Sequence, residues 1–299
     1  MNNQIINELR TSSLAMVQAG TAEMEAVLHE AQRPASGYPE IQAVIKAAQR
    51  AQNDSDICNV FNNSGYYADR IAIISITGMM MKYAHFNWSM EDLELIAPGM
   101  DDIASLLEYA MKSEDIDGAI LVFNTPGGTT QSLIRLEEVL KNHTKPVVAV
   151  VDGMCASAGM YAASLCDRII ALNKMCNVGS IGVMVQLVDY GAFYKKQGIK
   201  IIEIYPPESA EKNKAYRDAI DGKTQTMIDE VLTPLAVNFQ NIVKEHRPVD
   251  ESVEGVLSGK MFYAEDAIKA GLVDEIGNFE SAVAVITGIK EGKEIAQAM

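Results

Sequence analysis

Three short motifs hold the residues whose types and spacing could support nucleophilic catalysis. Ser157 lies in Cys155–Gly159, between an apolar run and a helical pattern, where free amides at a helix start favour negative charge. Gly127 and Gly128 follow another apolar run, and a glycine pair lets main-chain amides approach an oxyanion. Ser180 is flanked by glycines. Taken singly, each motif also fits a plain role, such as an N-cap serine or a tight turn.

A serine nucleophile requires a base, because its hydroxyl is a weak nucleophile at its ordinary pKa. The four histidines all lie outside these motifs, so a Ser-His-Asp triad has little support: His29, His85, His143 and His246. A lysine can act as the base only if its pKa falls well below the ordinary value of about 10.4, through loss of solvent or a nearby positive charge. That requirement is structural, and the residues alone leave it open.

Together the three motifs resemble the signal peptide peptidase family of serine proteases, including its phage branch of head maturation proteases. The resemblance runs from about residue 71 to residue 277. It is carried by the motifs above and by four further runs: residues 117–120, 189–191, 196–199 and 271–277. Ser-Ala-Gly at the nucleophile is nearer the phage branch than the Ala-Ser-Gly-Gly-Tyr form of the bacterial branch.

This resemblance implies a ClpP/crotonase-like α/β fold with a mostly parallel sheet, in which a serine and a lysine form the catalytic dyad. It implies these roles: Ser157 as nucleophile, the amides of Gly127 or Gly128 and of Ala158 as oxyanion hole, Ser180 as the partner of the lysine, and Lys212 as the base. Lys214 is the alternative base, because the stretch before it lacks the family's glycine and contains Pro206 and Pro207.

The resemblance also implies a peptide or protein substrate and a homo-oligomer, a ring or dome in which the lysine can come from a neighbouring subunit. It implies no metal and no organic cofactor. Two alternatives stay open: a scaffold or assembly protein that has lost activity, and an acyl-CoA enzyme of crotonase type. The second needs neither Ser157 nor Ser180.

The elements that must position these residues can be predicted from periodicity. From residue 70 short apolar runs alternate with amphipathic ones, which is typical of β-α units around a buried parallel sheet. Strands are predicted at 71–76, 118–123, 146–151, 168–172 and 199–204, and helices at 101–111, 131–142, 158–164, 224–245 and 263–270. We divide the chain into a helical N-terminal extension with a linker (1–62), a protease domain (63–285) and a C-terminal tail (286–299).

Composition narrows the class of protein further. A net charge of −15 argues against a nucleic-acid partner, because proteins that bind nucleic acids usually carry clustered Lys and Arg residues. The four cysteines form no CxxC pair or metal-binding spacing, which indicates a reduced chain. No signal peptide or membrane anchor is evident, so we predict a cytoplasmic protein, either bacterial or a phage protein in its host.

Overall fold

The computed structural model describes residues 14–15, 70–88, 93–97 and 99–298. Its strands are β1 (Leu14–Ala15), β2 (Ile71–Thr77), β3 (His85–Trp88), β4 (Leu93–Ala97), β5 (Gly118–Thr125), β6 (Gly128–Thr129), β7 (Val147–Ala156), β8 (Arg168–Ala171), β9 (Asn177–Gly179), β10 (Met261–Tyr263) and β11 (Glu275–Ile276).

Its helices are α1 (Met100–Lys112), α2 (Leu133–Lys141), α3 (Ala158–Ser164), α4 (Gly191–Lys196), α5 (Lys214–Ile220), α6 (Gln225–Met227), α7 (Thr233–His246), α8 (Ala264–Lys269) and α9 (Phe279–Ala298). A π-helical turn, Ile228–Leu232, joins α6 to α7. Short 3-10 turns lie at Thr130–Ser132 and Pro207–Ser209.

The central sheet has seven strands, and β7 lies at its middle. Strands β2, β5, β7, β8, β9 and β11 pair in parallel, and β10 joins β9 antiparallel. Strand β7 pairs with β8 through its first half and with β9 through its second half. The carboxyl ends of β5 and β7 therefore meet β9 at one edge, where parallel α/β sheets usually carry their sites.

Successive side chains of a strand point to opposite faces of the sheet. Because the central strands are apolar at consecutive positions, both faces of the sheet are buried. On β7, Val147, Ala149 and Val151 face the larger core, which helices α1, α2, α3 and α7 cover. Val148 and Val150 face a second core. Helix α9 covers that side through Ala282 and Ile286.

Most of the predicted elements are confirmed, and so is the α/β architecture with a mostly parallel sheet. The predicted strand at 199–204 is wrong, because these residues have no strand partner and form no ladder. Their apolar side chains are exposed instead of packed in a sheet.

Of the two predicted boundaries of the protease domain, the structure describes the one at residue 285 but not the one at residue 62. Helix α9 runs through residue 286, where we place the start of the tail, and Ile286 is buried at 1% exposure. The helical structure therefore continues past that boundary. The predicted N-terminal helices lie outside the described residues, except at Leu14–Ala15, which form strand β1 paired antiparallel with β6 rather than part of a helix.

Candidate active site

Ser157 occupies the junction between β7 and α3 in a backbone conformation that non-glycine residues rarely adopt. Its φ is 52° and its ψ is −119°. Such conformations cost on the order of 1–3 kcal/mol and persist where the surrounding structure imposes them, often at functional sites. Here the Ser157 N–H donates to the Gly179 carbonyl (2.9 Å), and the Ser157 carbonyl accepts from Tyr161 N (2.9 Å).

The hydroxyl of Ser157 is buried and has no hydrogen-bond partner among the described residues. Leaving a buried hydroxyl unpaired costs about 1–3 kcal/mol, so natural proteins rarely do so without a functional reason. The unpaired Oγ is available to a base and to a substrate carbonyl. Since Ser157 is fully buried in the chain, a substrate reaches it only when neighbouring groups move.

The glycine turn after β5 lies directly against the serine. A Cβ built on Gly127 would stand 2.8 Å from the Ser157 Cβ and 2.9 Å from Ala158 N. The structure thus brings together Gly127, Ser157 and Ala158. As the first residue of α3, Ala158 has no carbonyl one turn earlier in the helix to accept its N–H.

The two glycines differ in what their amides can do. Gly127 N donates to the Thr125 hydroxyl at 3.0 Å, so this amide is engaged within the turn. Gly127 O accepts from Met80 N at 2.8 Å. In a planar trans peptide the C=O and the following N–H point in opposite directions, so the Gly128 N–H points away from Met80. Of the two amides that the sequence left open, that of Gly127 is engaged within the turn, and that of Gly128 faces neither the turn nor Met80.

Ser180 lies one residue beyond the carbonyl that holds Ser157. It also has a positive φ, 51°, and is 8% exposed. Its N–H donates to the Lys260 carbonyl at 3.0 Å, and Gly179 pairs with Ala156 in the β7–β9 ladder. Two of the four non-glycine residues with positive φ in the described chain are therefore predicted site residues.

Neither candidate lysine is joined to Ser157 in this structure. Lys214, the first residue of α5, forms an ion pair with Asp218 (2.6 Å), and this hydrogen bond raises the Lys214 pKa. That is the opposite of what a general base requires. Lys212 is exposed; its N–H donates to the Ser209 carbonyl and its carbonyl accepts from Arg217. The structure thus brings Ser157 close to Gly127 and Ala158, two of the predicted oxyanion-hole residues, but joins neither predicted base to it.

Thr125 is a residue of this site that the sequence analysis missed. It ends β5, is fully buried and contacts both Gly78 and Gly127 through its hydroxyl. A signal was present: a hydroxyl residue follows the otherwise apolar end of a buried strand, directly before the Pro-Gly-Gly turn.

His143, a histidine with a described side chain, makes its contacts away from Ser157. His143 contacts Asp167 (Nε2 to Oδ2, 3.1 Å) and the Leu140 carbonyl (Nδ1 to O, 2.5 Å) rather than Ser157. Within the described part of the chain, no group of three or more His, Cys, Asp or Glu side chains is placed to hold a metal ion.

Comparison with known proteins first gives the class of protein. The profile of peptidase family S49 matches residues 139–293, just over half of the chain, and this range includes Ser157, Ser180 and both candidate lysines. The chain belongs to peptidase family S49. The family suggested by the sequence motifs is thereby confirmed, and the observed parallel sheet agrees with the ClpP/crotonase-like fold expected of it.

Curated relatives come from cells and from phages. A protease-named protein of Methanocaldococcus jannaschii is 33% identical over 60% of this chain and 58% of its own length. Capsid assembly protease C of Escherichia phage lambda is 28% identical over 63% and 43%. Protease 4 of Haemophilus influenzae is 31% identical over 62% and 30%. The chain thus spans between about a third and three fifths of the length of these relatives.

Among solved structures, a membrane-bound stomatin-specific protease matches with 17% identity and a TM-score of 0.37, over 71% of this chain and 82% of that one. An enoyl-CoA hydratase/isomerase family member matches with 21% identity and a TM-score of 0.39, over 75% of both chains. None of the helices in the described ranges combines the length and apolar character needed to cross a membrane.

Proposed function

We propose that this protein is a serine endopeptidase of the signal peptide peptidase or phage capsid maturation type, which hydrolyses peptide bonds through Ser157 and a lysine. The observation that carries the proposal is the conformation of Ser157. It is buried, has a positive φ, has an unpaired Oγ and lies against a glycine turn. Family membership and the protease-named relatives support the same class of activity.

The chemistry follows from this arrangement. Ser157 Oγ attacks the peptide carbonyl carbon while the lysine Nζ takes the hydroxyl proton, and the amides of Gly128 and Ala158 stabilise the oxyanion. The lysine then protonates the leaving amine, which departs and leaves an acyl ester on Ser157. Water, deprotonated by the same lysine, hydrolyses that ester and regenerates the serine.

The substrate is proposed to bind as an added strand at β6. Strand addition supplies main-chain hydrogen bonds for any sequence, while side-chain pockets select among sequences. Support comes from β1, which pairs antiparallel with Gly128–Thr129 and shows that this edge accommodates an extended segment. The scissile carbonyl of a peptide bound there would lie beside Gly128 and Ser157.

The base is proposed to be Lys212, with Lys214 as the alternative, and to reach Ser157 from a neighbouring subunit of a homo-oligomeric ring or dome. Support comes from the isolated chain, in which neither lysine is bonded to Ser157. It also comes from a run of exposed apolar side chains in residues 188–204, which we call the 188–204 segment: Val188, Tyr190, Phe193, Ile199, Ile201, Ile202 and Ile204. Exposed apolar runs of this kind are typical of protein interfaces.

The experiment is peptidase activity on casein and on a fluorogenic peptide panel, with variants compared at equal oligomeric state. Ser157→Ala should lower kcat/KM by about 10⁴-fold or more, and loss of the base should cost a similar factor. Only one of Lys212→Ala and Lys214→Ala should show that loss. Lys269→Ala is the matched control, because Lys269 forms a comparable exposed pair with Asp266 at 2.7 Å.

Mixing variants tests the origin of the base. Ser157→Ala subunits co-assembled with the inactive lysine variant should regain a fraction of wild-type activity if the dyad forms between subunits. No recovery after verified co-assembly indicates a dyad within one subunit. Activity that survives Ser157→Ala would contradict the mechanism as a whole.

A second candidate is a scaffold or assembly protein that keeps the fold without activity. The ion-paired Lys214 favours it, and so does a relative named as a head-tail preconnector protein of Enterobacteria phage P21, 24% identical over 72% of this chain and 42% of that protein. It predicts that correctly assembled wild-type protein hydrolyses no substrate and that Ser157 does not react with a fluorophosphonate.

A further inference from the structure

The Thr125 side chain joins the two main-chain segments that frame the glycine turn. Its hydroxyl donates to the Gly78 carbonyl at 2.6 Å and accepts the Gly127 N–H at 3.0 Å. Gly78 follows β2 directly, and Gly127 precedes β6. Thr125 is fully buried, and its bond to the Gly127 amide is buried as well, so loss of the hydroxyl would leave that buried amide without this partner.

The other end of the same side chain touches the helix that carries the nucleophile. A Cβ on Gly159 would lie 2.6 Å from the Thr125 Cγ2, so this methyl fills the space that the glycine leaves. The strand register places Thr125 opposite Cys155, two residues before Ser157. The ladder between β5 and β7 is irregular at this point: Phe123 faces Val151, whereas Thr125 faces Cys155. Thr125 is thus the first residue of β5 paired after the irregularity.

The main chain around this side chain fixes the peptide that bears the Gly128 amide. Gly127 is held at its N–H by Thr125 and at its carbonyl by Met80 N (2.8 Å). Thr129 N donates to the Met80 carbonyl (3.1 Å), which holds the next peptide along the chain. With both neighbours fixed, the direction of the Gly128 N–H is set before any substrate arrives. Such preorganised donors stabilise a developing oxyanion without reorganisation cost.

We propose that Thr125 is a positioning residue for peptide hydrolysis, one that holds the Gly127–Gly128 peptide in the orientation in which the Gly128 amide meets the oxyanion. The inference rests on the proposed function. It assigns to the hydroxyl an effect on the chemical step and to the methyl an effect on packing against Gly159. Thr125 itself contacts no reacting atom.

The test compares Thr125→Val, which keeps the shape and loses the hydroxyl, with Thr125→Ser, which keeps the hydroxyl and loses the methyl. Thr125→Val should lower kcat by about 10- to 100-fold with KM changed less than about threefold, because misplaced groups affect the transition state most. Its affinity for a peptide boronate, which forms a tetrahedral adduct on the serine, should fall in parallel. Thr125→Ser should retain kcat within about threefold and melt at a lower temperature.

A control and a second readout separate this role from a structural one. Thr287→Val removes a hydroxyl that bonds the Val283 carbonyl on the exposed face of α9, and it should leave kcat unchanged. Hydrogen exchange of the Gly127 amide reports its hydrogen bond to Thr125 without substrate turnover. This exchange should be faster in Thr125→Val alone. Unchanged exchange at Gly127, or faster exchange with wild-type kcat and boronate affinity, would overturn the inference. Wild-type protein that hydrolyses no peptide would instead contradict the proposed function. Exchange of the Gly127 amide would still show whether Thr125 holds that amide.

Discussion

At the scale of single residues, the site depends on backbone conformations that most side chains disfavour. Ser157, Ser180 and Gly127 all have positive φ, and they lie on three different segments that meet at one edge of the sheet. Neighbouring carbonyls and amides hold these conformations, as the Gly179 carbonyl does for Ser157. The conformation of Ser157 is therefore imposed by its surroundings rather than by its own conformational preference.

Gly127→Ala should abolish activity and destabilise the fold. Its Cβ would lie 2.8 Å from the Ser157 Cβ and 2.9 Å from the Ala156 carbonyl oxygen, at a φ of +100°. Gly222→Ala is the matched control, because Gly222 has a φ of +81° but nothing within 4 Å of its Cβ position. The positive φ should lower the free energy of unfolding of both variants by about 1–2 kcal/mol. Overpacking against Ser157 should lower that of Gly127→Ala by about 1–3 kcal/mol more.

Denaturant unfolding and peptidase assays of the two glycine variants check this prediction. Equal stability losses in both variants would mean that the glycine turn is not packed against Ser157 as observed. Gly222→Ala should keep full activity.

At the scale of elements, the end of α2 is tied to β7 and β8 through His143. The hydrogen bond to Asp167 raises the His143 pKa, against the opposing effect of burial, and Lys293 nearby lowers it slightly. Asp167 also accepts the Val147 N–H at the start of β7 (2.8 Å). One carboxylate thus connects the helix that follows the glycine turn with the strand that leads to Ser157.

The resulting pH dependence has a definite sign. Because the folded-state pKa of His143 lies above the unfolded value of about 6.5, its contribution to stability is complete below that pH and is lost as pH rises through the folded pKa. Unfolding free energies of the wild type and His143→Gln, measured from about pH 5 to about pH 9, should therefore converge as pH rises. A difference that stays constant with pH would show that His143 does not carry the effect.

At the scale of the whole molecule, the isolated chain leaves two features unexplained that an oligomer would explain together. One is the exposed 188–204 segment, in which Ile204 is 88% exposed. The other is the buried Ser157 Oγ, which has no hydrogen-bond partner in the part of the chain that the structure describes. Residues 205–214, which carry both candidate lysines, follow this segment directly. An interface formed by the segment would place those lysines near a neighbouring subunit.

Ile202→Glu should therefore weaken assembly and lower activity together, because it adds a charge to an apolar surface that would become buried. Ile202 is 67% exposed in the chain. Ile134→Glu is the matched control on α2, where Ile134 is 63% exposed and lies outside the segment. Sedimentation velocity should show smaller species for Ile202→Glu only; unchanged assembly in that variant would place the interface elsewhere.

The sequence by itself determined the family and most of the sheet, and it predicted the nucleophile. These are local properties: period-2 and helical patterns predicted β2, β5 and β7 and helices α1, α3 and α7, and the motif order pointed to Ser157. The strand prediction at residues 199–204 failed. An apolar pattern indicates that a segment is suited to burial, but it does not indicate whether the segment is buried in its own sheet or against another surface.

Only the tertiary structure distinguished the contacts of the two glycines and found Thr125. Those contacts depend on where distant donors and acceptors point, and Met80 and Gly78 lie just after β2, more than forty residues earlier in the chain. The base depends on the same kind of information at a larger scale. A lysine's pKa and its distance from Ser157 are set by packing between segments and subunits, so they are properties of the assembled protein and not of the local sequence.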